Sequence, residues 1–159
     1  MSKSRTLARK RAVQALYMWE MTGADLSTID QQFLLEHDMS KVDVKYFQQL
    51  LHEVPKHIDV IDEHIHEFLD RPFNEVDPVE RAVMRLGVYE LQFRQDVPYR
   101  VVINESIELA KIFGAEDSYK YVNSILDGAA KKLRATEFKA RQSTSKKSAD
   151  AESQNKKTS

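Results

Sequence analysis

The chain contains no cysteine. Disulfide bridges and thiolate metal sites are therefore excluded, which fits a reducing compartment. Only four glycines and four prolines occur among 159 residues. That scarcity favours long helices over many short strands joined by turns. No apolar run approaches the roughly 20 residues that a membrane-spanning helix needs, so no membrane association is expected. The N-terminus does not read as a secretory signal, because Gln14 and Glu20 break its apolar stretch and no small-residue cleavage pattern follows. Residues 2–19 are basic, contain Ser and Thr and lack acid, a composition loosely like that of an organellar transit peptide. Also missing are a glycine-rich phosphate loop, a G-x-S-x-G element and any thiol nucleophile, the usual parts of phosphoryl and acyl chemistry.

What is present fits one folded domain of ordinary apolar content, 42%. A chain of this size can bury roughly two-thirds of its unfolded surface. The net charge of −1 hides a division into three. Residues 1–19 carry Lys3, Arg5, Arg9, Lys10 and Arg11 with no acid, a charge of +5. Residues 135–159 carry +3, which leaves −9 on residues 20–134. A basic arm on an acidic body suggests a polyanion for the arm and a basic protein for the body.

Apolar residues recur at steps of three and four along most of the chain. Leu7, Ala8, Ala12, Ala15, Leu16 and Trp19 form one face, and Gly23 can end that helix. A short helix follows around Ile29, Phe33 and Leu34. The pattern from Val44 to Phe68 is interrupted by Pro55 and predicts either one kinked helix or two consecutive ones. Asp77, Pro78 and Glu80 make a helix start with capping-box spacing. Further helices are expected from about Val102 to Phe113, closed by Gly114, and after a Ser118 cap through Leu133. From about Ala135 the pattern fails, and a disordered basic tail is expected. The fold class is all-α with six or seven helices: a helical domain over 1–134 and a tail over 135–159.

Two segments carry functional signals. Five cations within nine residues could neutralise several phosphates of RNA; the alternative is a solvated, frayed end. Residues 114–123 combine a helix N-terminus with Tyr119, Lys120, Tyr121, Asp117 and Asn123. Tyrosines can stack on bases, a lysine can meet phosphate, and Asp or Asn can read a base edge; the alternative is a capped helix with one tyrosine buried. Other constellations read as structure. His52, Glu53 and His57 miss the zinc spacing H-E-x-x-H by one residue, with Pro55 between, and read as solvated or locally paired. Glu63/Glu67 and Glu105/Glu108 read as solvated helix faces rather than acid–base pairs.

Several ordered blocks resemble the NusB family of bacterial transcription antitermination factors: residues 12–17 (AVQALY), 81–91 (RAVMRLGVYEL), 97–105 (VPYRVVINE), 108–117 (ELAKIFGAED), 121–123 (YVN) and 126–127 (LD). The likeness covers residues 5 to about 134. It implies a pair of small helical bundles, no catalysis and no cofactor, and the histidine spacing gives no metal site. It further implies a cytoplasmic factor that binds the single-stranded boxA element of nascent ribosomal RNA together with the ribosomal protein NusE. That complex joins other Nus factors on RNA polymerase and suppresses termination. By position, the family's arginine-rich N-terminus maps onto Arg5, Arg9, Lys10 and Arg11, with Thr6 and Leu7 where some relatives have arginine. The 114–123 block matches a second RNA-contacting region, which favours Asp117, Lys120 and Tyr121. Phe68 stands where relatives often have a ring that stacks on a base. Tyr17 and Glu80 match positions on the NusE side. Two rival functions are a ribosomal RNA cytosine methyltransferase, which would need a downstream α/β domain absent from this sequence, and a helical scaffold that binds only proteins.

Overall fold

The computed structural model describes residues 2–141. Among these residues there are seven α-helices followed by a further helical segment at 135–141, with one 3-10 turn at Phe73–Glu75 and no strand. The helices are α1 (Lys3–Thr22), α2 (Leu26–Glu36), α3 (Val44–Lys56), α4 (Ile58–His66), α5 (Pro78–Phe93), α6 (Tyr99–Phe113) and α7 (Ser118–Leu133).

Local chemistry sets most of the boundaries. The Ser2 hydroxyl caps α1, and Gly23 ends it in the left-handed region at φ 67°, with its amide bonded to the Trp19 carbonyl. Glycine adopts that conformation without steric cost. Asp43 caps α3 by accepting from the Tyr46 amide at 3.1 Å. Pro55 lies in the last turn of α3, and the chain breaks at His57, so the long pattern resolves into two consecutive helices. Asp77 accepts from the Val79 amide at 2.8 Å with Pro78 at the first helical position of α5.

Other expectations are corrected. Glu80 accepts the Ser118 hydroxyl at 2.7 Å and so ties the start of α7 to the start of α5. Ser118 is therefore not the cap of α7; Asp117 occupies that position at φ 69°, and Ser118 is the first helical residue. Helix α6 begins at Tyr99, not Val102, because Pro98 fits the position just before a helix and the Tyr99 amide finds a carboxylate acceptor in Glu137 at 3.0 Å. Glu105 does not lie on a solvated face: it is buried and accepts the Thr6 hydroxyl at 2.7 Å. The ordered chain also runs past Arg134, since residues 135–141 are helical and Phe138 packs on the Tyr99 ring. The rest of the tail, 142–159, lies outside the described residues.

Helices α1, α2 and α3 form one bundle and α4 to α7 a second, with α5 packed on α1 and α3 as well as on its own neighbours. Leu50, Leu51, Phe47, Ile61, Ile65, Leu86, Leu91 and Leu126 are fully buried. Each such side chain contributes roughly 1.5–3 kcal/mol by leaving water.

A charged centre sits where the bundles meet. Arg9 is 2% exposed and Glu90 1%. Arg9 donates Nε to Glu90 Oε1 at 2.8 Å and Nη2 to Glu90 Oε2 at 2.9 Å, and its guanidinium lies 3.6 Å from Glu105. The Tyr46 hydroxyl donates a short hydrogen bond to the same Glu90 carboxylate. Burial alone would weaken Arg9's hold on its proton, but the hydrogen bonds and charge of Glu90 outweigh it and raise the pKa. Burial and Glu90 likewise push the Tyr46 phenol above its ordinary range. Four helices, α1, α3, α5 and α6, thus converge on one ion-pair network. Removing one partner of a buried pair leaves an uncompensated charge. Arg9→Met is therefore expected to lower the unfolding free energy by about 3–5 kcal/mol, measured as a fall in the urea midpoint. Arg9→Met/Glu90→Met, which removes both charges, should recover part of the loss. An Arg9→Met midpoint equal to that of the unaltered protein would show that the network carries no such weight.

Candidate nucleic-acid interface

The basic arm is divided by the fold. Lys3 is exposed, and Lys10 and Arg11 are half-buried, with Arg11 donating to Gln14 at 3.0 Å. Arg5 lies with its guanidinium 4.5 Å from the Tyr46 ring centre and 3.9 Å from Asp43. Arg9, expected among the phosphate contacts, is turned inward to Glu90. It is 2% exposed and held bidentately by Glu90, so its guanidinium is committed within the fold although an edge of the side chain lines the cleft beside Pro98. The acceptor that draws Arg9 inward stands 81 residues away.

A second cluster forms where the end of α4, the following loop and α7 meet. Phe68 is half-buried against α7 at Gly128, where a Cβ would stand 2.6 Å from the phenyl ring. Glycine at 128 is what allows the ring to lie so close to the helix. On the same side of α7, the Tyr121 hydroxyl donates to Asp70 at 3.1 Å, and the Arg71 guanidinium sits 4.4 Å from the Tyr121 ring centre. Arg71 also donates to Asp70 at 2.8 Å. Asp70 and Arg71 were missed by sequence reasoning; an adjacent Asp–Arg pair carries no periodic signal that would have found them. The hydrogen bond from Arg71, with that from Tyr121, holds the Asp70 carboxyl below the usual carboxylate range. Burial, followed by the bond to Asp70, pushes the Tyr121 phenol up. Asp117 and Lys120 are exposed one turn away and pair at 3.2 Å. The structure thus brings Tyr121, Asp117 and Lys120 to the start of α7, with Phe68 about two turns further along it, against Gly128.

Tyr17 and Glu80 mark a different surface. Tyr17 is 39% exposed and lines a shallow apolar notch with Val13, Val79 and Phe113. Met21 and Ile112 are exposed large apolar side chains of the same two helices, α1 and α6. Glu80, beside Val79 on α5, is committed to Ser118 and is half-buried.

The histidines of the near-zinc spacing are paired locally: His52 with Asp30 at 2.9 Å, and His57 with Glu53 at 3.2 Å while stacked on Phe93. No helix among the described residues is long and apolar enough to cross a membrane.

Two helical bundles sharing α5, with an aromatic and charged corner at the head of α7, define the class of fold. The chain belongs to the NusB family, whose model matches residues 6–131. It is 52% identical over 141 residues to the transcription antitermination protein NusB of Nitrosococcus oceani, covering 89% of this chain and 95% of that one. It is 53% identical over 138 residues to the protein of the same name from Alcanivorax borkumensis, covering 87% and 92%. Among solved structures, T. maritima NusB superposes with a TM-score of 0.76 at 33% identity, over 87% of this chain and 99% of that chain. A crystal structure of the antitermination factors NusB and NusE in complex with dsRNA gives a TM-score of 0.70 at 26% identity, over 83% and 99%.

The corner makes a direct prediction. Asp70 has a depressed pKa, so its pairing with Arg71 and Tyr121 persists above its own titration and is lost as pH falls through it. Carboxyl NMR should place the Asp70 midpoint below the roughly 3.9 of an unperturbed aspartate. In Arg71→Gln the midpoint should move up towards that value; an unchanged midpoint would show that Arg71 does not hold Asp70.

Proposed function

We propose that this protein is a transcription antitermination factor that binds boxA-type single-stranded RNA of nascent ribosomal transcripts together with NusE. It is a cytoplasmic binding protein without catalysis. The observation that carries the reading is that Phe68 and Tyr121, 53 positions apart in sequence, are placed along α7, Tyr121 beside Asp117 and Lys120 at its head and Phe68 about two turns further on, against Gly128. Rings supply stacking surfaces for unpaired bases, and a carboxylate can accept from a base amino group. Lys3, Arg5, Lys10 and Arg11 supply attraction for phosphate, which positions RNA without reading its sequence. The notch around Tyr17, Val79 and Phe113, with the exposed apolar side chains of Met21 and Ile112, serves the protein partner. A partner that holds the same RNA raises affinity through effective concentration. Through that complex the protein meets the other Nus factors and RNA polymerase.

Fluorescence anisotropy with labelled boxA RNA, with and without NusE, tests this. Tight binding that prefers boxA over a scrambled sequence and strengthens with NusE is expected. Lys10→Ala/Arg11→Ala should weaken binding to both RNAs and make the log–log salt slope shallower by about 1.4, at ~0.7 per single-strand phosphate contact. Tyr121→Ala should instead narrow the gap between boxA and the scramble. Equal, weak binding to both RNAs with NusE present would overturn the proposal.

A further inference from the structure

The two proposed RNA-facing regions lie at different ends of the molecule. The arm starts beside the first turn of α6, where Ser2 and Arg5 line a cleft with Asp96, Val97, Pro98 and Val101. The Tyr121–Asp70 corner lies at the head of α7, which is tied to the start of α5 through Glu80. A second cleft, of about 500 Å³, occupies the ground between them. Its walls are the first two turns of α6, the middle of α7 and the C-terminal segment 135–141, with Arg100, Asn104, Asn123, Asp127, Phe138 and Arg141 facing it.

We infer that this cleft is an RNA subsite that joins the arm to the α7 corner in one continuous track. The inference rests on the RNA-binding reading above. Among the described residues, Arg100 and Arg141 have no hydrogen-bond or ion-pair partner, and both are exposed. The cleft's one carboxylate, Asp127, is already paired with Lys131 at 3.2 Å. Its wall therefore presents two uncommitted guanidinium groups and the side-chain amides of Asn104 and Asn123. Guanidinium forks suit phosphate, and amides can read base edges. Phe138, half-buried against Tyr99, offers a ring on which a base can stack. An apolar helix of a protein partner would find little to bury here.

Position makes the track continuous. Lys120, Asn123, Ser124 and Asp127 share the exposed face of α7, at helical steps of three and four. From Asp117 to Asp127 that face runs about 15 Å, at ~1.5 Å per residue. At its far end stands Arg100. Its neighbours Pro98 and Val101 line the arm's own cleft, so Arg100 sits on the ridge between the two clefts. A strand leaving the α7 corner along this face crosses that ridge before it reaches Arg5.

The test compares the minimal boxA RNA with boxA RNAs lengthened by four nucleotides at the 5′ or the 3′ end, bound to the full chain with NusE. One of the longer RNAs should bind about fivefold more tightly or better, as expected for one stacked base and its phosphates. Arg100→Ala/Arg141→Ala should abolish that gain and lower the salt slope by about 1.4 for the longer RNA. Its affinity for the minimal RNA should stay unchanged. Both side chains are exposed, so circular dichroism and the urea midpoint should match those of the unaltered protein. Arg100→Glu separately should reverse the gain into a penalty. If neither extension tightens binding, or if the gain survives in both variants, the subsite is refuted while the boxA reading stands. Failure of all the RNAs to bind would overturn both.

Discussion

The bidentate pairing of Arg9 with Glu90 is the contact on which the arrangement of the molecule turns. Glu90 lies on α5, the helix common to both bundles, and its carboxylate takes Arg9 from α1 and the Tyr46 hydroxyl from α3. Its backbone carbonyl accepts from Arg134 at 3.1 Å, which also donates to the Leu91 and Arg94 carbonyls. One arginine thus neutralises the side chain of Glu90, while another satisfies the open carbonyls at the end of its helix. Arg134 is in turn paired with Glu137 at 2.7 Å, whose other oxygen accepts the free amide at the start of α6. The end of α5, the start of α6 and the C-terminal segment are closed into a single polar circuit. A buried ion pair adds little net stability compared with apolar residues of the same size. Its value here is directional: it fixes how α1 seats against α3 and α5.

That circuit also explains what could and could not be read along the chain. The long helices were legible because three-and-four spacing of apolar residues records a buried face. Their ends were legible where the cap is local, as at Gly23 and Asp77. The early start of α6 was not, because the acceptor for its first amide is Glu137, contributed from beyond α7. The same holds for Ser118, whose hydroxyl is drawn away from capping by Glu80, and for Glu105, whose partner Thr6 stands 99 positions earlier. Arg9 stands three residues before Ala12 and seven before Leu16, at the edge of the apolar stripe, but nothing in the spacing names the acid that takes it inside. Charged residues go inward only when a matching group waits there, and the match is a property of the fold. At the candidate interface, Tyr121, Lys120 and Asp117 were legible as a helix start rich in aromatic and polar groups. Asp70 and Arg71 were not, since nothing in the sequence connects them to Tyr121.

The same logic bears on how an RNA-binding face of this kind can select. Phosphate contacts from basic side chains attract any RNA alike. Selection requires groups held in place before the ligand arrives, because ordering them on binding consumes the interaction energy. The loop that carries Asp70 and Arg71 is held in that way. Arg81 donates to the Phe73 and Val76 carbonyls and to Glu20 at 2.8 Å. Arg85 forks onto Asp62 through two bonds of 2.9 Å and lies over the Phe73 ring at 5.0 Å. Both arginines project from α5, the helix that also carries Glu90. One helix therefore anchors the basic arm at its C-terminal end and the base-facing corner near its N-terminal end. The distance between attraction and selection is then set by the length of α5 rather than by a mobile linker. A single-stranded RNA that satisfies both ends must span that fixed interval, so spacing itself becomes part of what is recognised.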